Sequence, residues 1–291
     1  MFLYYTIITG ASSGIGFELA KIFVSKGKNV IIVSANSSKL ESAKRKLDLM
    51  VPNKTKCFVC DLAQKDSVTQ MVNAIHEEGI QIDTLINNAG IGIVGEFLKL
   101  DPKQEENMLA LNINSLVNLT RVFAFKMQNG GRILNVASTG AFQAGPYIST
   151  YYASKAFIHI FSEGLRAEFK HNGIQVCTLY PGATKTEFSK RAGKKESNMA
   201  MSPETVARIA LQPLLQNPMI TPAFENVIPA LFGAMAFKYF RKKPVYAVVT
   251  MTVLTLIYCL VPSLIQSVSV LIIPVILIMC GLKILLNKLR A

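Results

Sequence analysis

Short runs rich in β-branched residues alternate with longer stretches of helical periodicity along the first 180 residues. The runs fall at residues 4–9, 30–34, 56–60, 84–87, 132–138 and 174–180. Helical patterns fill the gaps at residues 15–26, 39–49, 67–78, 104–128 and 154–171. Strand–helix alternation of this kind folds as right-handed βαβ units, giving a parallel sheet with helices on both faces. The runs are nearly continuous in apolar residues instead of alternating with polar ones, as strands buried on both sides require. The expected fold class is therefore α/β, a doubly wound parallel sheet, with no internal repeat. Residues 187–218 are the least regular part, although Ser202-Pro203-Glu204 reads as a helix start, with a cap, a proline at the first position and an acid in the first turn.

The first turn constrains the chemistry. Thr9-Gly10-Ala11-Ser12-Ser13-Gly14-Ile15-Gly16 follows the first run directly and opens the first helix. Glycines let the backbone turn tightly and approach a pyrophosphate, while the helix N-terminus offers free N–H groups and the positive end of its dipole. The spacing is G-x-x-x-G-x-G, not G-x-G-x-x-G, and its strand–turn–helix setting is what separates it from a plain tight turn. Further on, Tyr151 and Lys155 are four residues apart and share a helix face. An ammonium near a phenol stabilises phenolate and is expected to draw its pKa from about 10 towards neutrality, suiting it to proton exchange with a carbonyl oxygen. Ser138 ends the fifth run, and strand ends in open α/β sheets are where ligands bind.

Residues 9–16, Asn87-Asn88-Ala89-Gly90, Ser138, Tyr151-Tyr152-Ala153-Ser154-Lys155 and Pro181-Gly182 occur in the order and spacing of the short-chain dehydrogenase/reductase family, which the chain resembles over roughly residues 1–240. The resemblance implies a Rossmann domain that transfers hydride between a nicotinamide dinucleotide and a carbonyl or secondary alcohol. It implies that Tyr151 gives or takes the proton, that Lys155 tunes it and holds the nicotinamide ribose, and that Ser138 orients the substrate oxygen. Asn112 resembles the family's helix asparagine that anchors a relay water; Asn114 competes for that role, and the eight-residue distance to Thr120 favours Asn112. Tyr152 then reads as packing.

The same resemblance assigns cofactor contacts to Gly10, Ser12, Ser13, Gly14, Ile15 and Gly16, to Asp61 and Leu62 beside the adenine, and to Asn88, Ala89 and Gly90. Pro181, Gly182, Thr184 and Thr186 match the loop that meets the nicotinamide amide and phosphates, and Tyr151 and Lys155 complete the set. Position 35 is alanine, so the acid that would bind a ribose 2′-hydroxyl is missing, and Asn36, itself a candidate cofactor contact beside the adenosine, stands where an NADP-selecting arginine is usual. Hydroxyls at Ser34, Ser37 and Ser38 with Lys39 nearby suit a 2′-phosphate, so NADP(H) is favoured over NAD(H). Helices 104–128 and 154–171 resemble those of the family's dimer face, so a homodimer is expected.

Half the chain is apolar (51%), only 17% is charged and mean hydropathy is +0.34, more than a soluble enzyme of this size needs. The excess has an address. From Pro244 to Leu282 no side chain is charged, a stretch of 39 residues bounded by Arg241-Lys242-Lys243 and by Lys283, Lys288 and Arg290. One membrane span needs about 20 apolar residues. Two helices near 245–265 and 268–286, turning at Gln266-Ser267, fit the length, and basic residues at both outer ends place both ends on the cytoplasmic side. Pro262 and Pro274 leave a re-entrant hairpin as the alternative to two spans, and a tail buried in a subunit interface is the bland reading. The expected organisation is a catalytic domain at 1–243 and a membrane-associated helical tail at 244–291. Lipids are then partners, and a small lipophilic substrate is implied, such as a 3-keto lipid, sterol or retinoid.

Other classes fare worse. A net charge of +13 favours anionic partners, but the basic residues are scattered with no aromatic–basic stripe, so no nucleic acid is expected. No phosphate-binding G-x-x-x-x-G-K-[ST] occurs. Five cysteines are an odd count, and Cys57 and Cys60 point to opposite faces of a strand, so neither a disulfide framework nor a metal site is expected. The N-terminus runs straight into the first strand and reads as no signal peptide. The rival from another class is a membrane-tethered dinucleotide sensor or scaffold without turnover, which the complete Asn112–Ser138–Tyr151–Lys155 set argues against. Truncation after Lys243 should move the protein from the membrane to the soluble fraction on cell fractionation; full-length protein that is soluble without detergent would refute the anchor.

Overall fold

The computed structural model describes residues 3–127, 130–188, 192–193 and 200–216. The charge-free tail and both helices expected in it lie outside the described residues. The six runs form strands β1 (Tyr4–Thr9), β2 (Asn29–Ser34), β3 (Thr55–Val59), β4 (Gln81–Asn87), β5 (Arg132–Val136) and β6 (Gln175–Leu179). They pair in parallel in the order β3-β2-β1-β4-β5-β6, a doubly wound Rossmann sheet. The helices are α1 (Gly14–Ser25), α2 (Ser37–Met50), α3 (Ser67–Glu77), α4 (Pro102–Leu109), α5 (Ser115–Lys126), α6 (Ser149–Phe169) and α7 (Pro203–Gln216).

Successive strand residues point to opposite faces, and both faces are covered. Ile8, Val30, Ile32, Ile86 and Leu134 pack with Leu19 and Phe23 of α1, Leu40 and Leu47 of α2, and Val206 and Ala210 of α7. On the other face Ile7, Ile31, Val33, Leu85 and Ile133 meet Met71 and Ile75 of α3, Leu119 and Phe123 of α5, and Leu165 of α6. That two-sided burial explains why the strands read as unbroken apolar runs. Cys57 packs against the first cluster and Cys60 belongs to the second, as the strand periodicity requires. Among the described residues no His, Cys, Asp and Glu group could hold a metal ion.

Local signals set the helix limits. Asn36 caps α2, accepting from the Lys39 amide at 2.8 Å, and Asp101 with Pro102 opens α4. The Ser202 hydroxyl accepts from the Thr205 amide at 3.2 Å, so the predicted start of α7 is present. One expectation is revised: the single helical pattern at 104–128 is α4 and α5 joined by a π-turn at Ala110–Asn114. The whole run from Pro102 to Lys126 is long and apolar enough to cross a membrane, yet Met108, Leu119 and Phe123 are buried in the domain, so its hydropathy reflects core packing. The π-turn inserts one extra residue per turn and aims Asn112 inward, a feature often found at functional sites.

Between β1 and β4 the chain's winding direction reverses, and the turns after these strands border the crevice where such sheets bind ligands. Deeper, a polar chain runs through the apolar interior. Asn87 Nδ2 donates to Thr120 Oγ1 at 3.1 Å and to Asn135 Oδ1 at 2.9 Å, and Asn135 Nδ2 donates to Ser162 Oγ at 2.9 Å. It ties β4, β5, α5 and α6 together, and Asn135 is fully buried. Removing one partner strands the others in an apolar setting. Asn135→Leu should therefore destabilise the fold by about 1–3 kcal/mol in urea unfolding, despite being the more hydrophobic residue; an unchanged midpoint would show the network to be dispensable.

Candidate active site

Helix α6 begins at Ser149, five residues earlier than the sequence pattern indicated, which puts Tyr151 in its first turn and Lys155 one turn on. Both are buried. Lys155 Nζ lies 5.8 Å from the centre of the Tyr151 ring and donates to the carbonyl of Val136, the last residue of β5, at 2.9 Å. Ser138 sits just past β5, not in it. Its extended backbone caps a short 3-10 turn, Thr139–Phe142, and its Oγ accepts from the Gly140 amide at 3.1 Å. The same hydroxyl faces the Tyr151 phenol and favours its ionised form. Tyr152 lies against Gly140 and Gly145, where an added Cβ would come within 2.8 and 2.5 Å of its ring.

Asn112 is buried, whereas Asn114 is exposed. Asn112 Oδ1 accepts from the Ile91 amide at 3.0 Å, and Nδ2 donates to the Ile91 carbonyl at 2.9 Å and to Ser154 Oγ at 3.0 Å. It thereby pins the chain after β4 to the helix that bears Tyr151. A Cβ on Gly90 would lie 3.1 Å from Asn112 Oδ1 and 3.3 Å from Lys155 Nζ, so these three positions converge.

Burial dominates the electrostatics. It pushes the Tyr151 phenol up to about 12, with the Ser138 hydroxyl opposing it, and pulls the Lys155 ammonium down to about 8. The expectation that Lys155 draws the phenol towards neutrality is thus corrected. With Nζ committed to the Val136 carbonyl, desolvation of the two buried groups outweighs their coupling.

The turn after β1 has the shape of an anion cradle. Gly10 and Gly14 adopt the left-handed backbone (φ +65° and +59°). A Cβ on Gly16 would fall 2.5 Å from Asn88 Nδ2 and 2.7 Å from the Gly10 carbonyl. Asn88 Nδ2 donates to the Thr9 carbonyl at 2.8 Å, and the Asn88 and Ala89 amides both donate to Thr9 Oγ1 at 3.0 Å. Ser13 stands at the cap of α1 but makes no side-chain cap bond, and no acid lies in the first turn. The first N–H groups of α1, from Gly14, Ile15 and Gly16, are therefore left for an anion, so the pyrophosphate of a dinucleotide fits.

The remaining candidates surround this cradle. Ser12 Oγ lies 3.0 Å from Ser34 Oγ. Asn36, expected near the adenosine, has its side-chain oxygen occupied as the cap of α2 and by the Ser38 hydroxyl at 3.0 Å. Asp61 accepts from the Ala63 amide and from Gln64 Nε2, both at 3.2 Å, while Leu62 is buried among core residues. Pro181 accepts from the Thr139 amide at 3.0 Å, joining the loop after β6 to the Ser138 turn. Thr184 Oγ1 donates to the Gly182 carbonyl at 3.0 Å, and the place of a Cβ on Gly14 is 3.1 Å from Thr186 Cγ2.

Two neighbours had no signal in the sequence. Phe188 lies on Tyr151 with ring centres 5.2 Å apart, and Glu187 pairs with Lys39 at 2.6 Å across 148 residues of chain. Only the folded loop brings them there. Ser154, inside the Tyr–Lys spacing, could have been suspected as a partner of Asn112.

A doubly wound sheet with a glycine cradle after β1 and a buried Tyr–Lys pair beside a strand-end serine defines a dehydrogenase/reductase enzyme. The chain belongs to the short chain dehydrogenase family, whose model matches residues 5–197. The very-long-chain 3-oxoacyl-CoA reductase of Anas platyrhynchos is 32% identical over 213 residues, 71% of this chain and 67% of the relative. A short-chain dehydrogenase from Sphingobium yanoikuyae in complex with NADPH superposes with a TM-score of 0.70 at 27% identity, over 80% of this chain and 96% of that one. A 3-ketoacyl-(acyl-carrier-protein) reductase from Brucella melitensis complexed with NADH gives 0.66 at 25% identity, over 76% and 94%.

The lowered lysine has a measurable consequence. Below pH 8 Lys155 is charged in both folded and unfolded protein, and the folded state bears the cost; as pH rises from 8 towards 10.5 that cost disappears. Relative to Lys155→Met, native protein should gain about 2 kcal/mol in urea unfolding between pH 7 and 9.5. A constant difference would place the lysine in a solvated site.

Proposed function

We propose that the protein is a membrane-associated, NADP(H)-dependent oxidoreductase that interconverts a carbonyl and a secondary alcohol on a lipophilic substrate, with 3-keto acyl lipids the first choice and sterols or retinoids after them. The observation that carries the reading is the meeting of half-buried Ser138 with the buried Tyr151 and Lys155. When bound, the nicotinamide supplies or accepts the hydride at the carbonyl carbon. The chain's residues handle the oxygen. Ser138 hydrogen-bonds it, and Tyr151 transfers its phenolic proton to it in the reducing direction. Lys155, beside the ring, offsets the charge left on the phenolate and holds the nicotinamide ribose. A phenol held near 12 in the free protein is protonated throughout the neutral range, which suits an acid for carbonyl reduction. Asn112 fixes the loop after β4 against α6 and holds the relay water.

Support for the substrate class comes from the Anas and Brucella relatives, both named for reduction of a 3-oxo or 3-keto acyl group, and from the charge-free tail, which favours a substrate that partitions into a bilayer. NADP(H) is favoured by Lys39 and the hydroxyls at residues 34, 37 and 38. The catalytic domain, residues 1–243, faces the cytoplasmic side, with 244–291 in or on the membrane. Exposed Phe125 on α5 and Ile160 on α6 support a homodimer through these helices.

Detergent-solubilised protein should oxidise NADPH when given a long-chain 3-oxoacyl-CoA, releasing the 3-hydroxyacyl product. Tyr151→Phe should bind NADPH within about two-fold of native protein and lose at least about 100-fold in turnover. Normal turnover in that variant would remove Tyr151 as the acid. Preference for NADH would overturn the cofactor reading, and binding without turnover across 3-oxoacyl, steroid and retinoid carbonyls would leave a sensor or scaffold as the function.

A further inference from the structure

Lys39 is the one cation in the cluster at residues 34–39, and its ammonium is held 2.6 Å from a Glu187 carboxylate oxygen. Glu187 belongs to the loop after β6, which touches the cradle itself: Thr186 lies 3.1 Å from the place of a Cβ on Gly14. The next residue, Phe188, lies on Tyr151 and would meet a Cβ on Gly92 at 2.7 Å. One short segment thus touches the adenosine end of the crevice through Glu187 and the phenol through Phe188.

We propose that Glu187 is a cofactor-selectivity residue, competing with the 2′-phosphate of NADP(H) for Lys39. The inference rests on the dinucleotide reading of the cradle. A lysine that must bind a ribose phosphate is already occupied by a carboxylate, so a phosphate-bearing nucleotide has to displace Glu187, and any remaining proximity is repulsive. A nucleotide with a plain 2′-hydroxyl has no such contest. Both side chains are over 40% exposed, and an exposed ion pair contributes little stability, so a doubly charged phosphate wins the lysine at a modest loss of affinity. The carboxylate therefore narrows the preference for NADP(H) that Lys39 and the hydroxyls create.

The test is calorimetric titration of the full detergent-solubilised chain with NADP⁺ and with NAD⁺. Glu187→Gln should tighten NADP⁺ roughly three- to ten-fold and leave NAD⁺ within about two-fold, with the gain shrinking in about 0.5 M salt. Lys39→Gln should weaken NADP⁺ and erase the effect of Glu187→Gln in the double variant. Unchanged NADP⁺ affinity in Glu187→Gln, or equal gains for both nucleotides, would overturn the proposal. Native protein that binds NAD⁺ more tightly would refute the cofactor preference while leaving the Glu187 effect on NADP⁺ to be read separately. Binding of neither would refute the dinucleotide reading, and the proposal with it.

Discussion

The hydroxyl of Thr9 holds together the two strand ends on which the rest of the site is built. It donates to the Ile86 carbonyl and accepts from the Asn88 and Ala89 amides, so the turn after β1 and the turn after β4 form one unit. Asn88 reinforces the joint through the Thr9 and Gly10 carbonyls. Neither contact is local, since the partners are some 80 residues apart. Gly10 and Gly16 are needed at this joint because a side chain on either would collide with Asn88, Ala89 or the Gly10 carbonyl. Their role is close approach first, and the open N-terminus of α1 follows from it.

From that joint the order propagates along β4 into the chemistry. The segment leaving Gly90 is fixed by both hydrogen bonds between Asn112 and Ile91, and Asn112 in turn bonds Ser154, one residue before Lys155. The π-turn that aims Asn112 inward and the Val136 carbonyl that receives Lys155 place the ammonium beside the phenol, with no carboxylate partner among the described residues. The result is an unusual electrostatic state: a buried ammonium lowered to about 8 next to a phenol raised to about 12. Both shifts have the same origin, the cost of charge away from water. A site prepared in this way favours the neutral phenol and gives the ammonium most to gain from any negative charge that arrives.

The sequence was most legible where one residue type has one structural use. Short apolar runs became strands within a few residues because a parallel sheet covered on both faces accepts little else, and Ser202 stood at a helix start where its side chain accepts a first-turn amide. Legibility failed where hydrogen bonding departed from the regular period. The π-turn at Ala110–Asn114 is invisible in an apolar pattern that continues on both sides, and Ser138, at the end of an apolar run, caps the turn that follows β5. The phenol's pKa is hidden from the sequence for a related reason, since spacing reports proximity but not desolvation.

Order and spacing of residues thus determined the fold class, the glycine cradle and the Tyr151–Lys155 pair, because these depend on periodicities and turn conformations that each short segment imposes on itself. Tertiary structure decided which of Asn112 and Asn114 turns inward, that Asn87, Thr120, Asn135 and Ser162 form one buried chain, and that Glu187 meets Lys39 while Phe188 covers Tyr151. These contacts join segments tens to more than a hundred residues apart, and their energy exists only once the apolar faces have packed and removed the water that would otherwise satisfy the same polar groups.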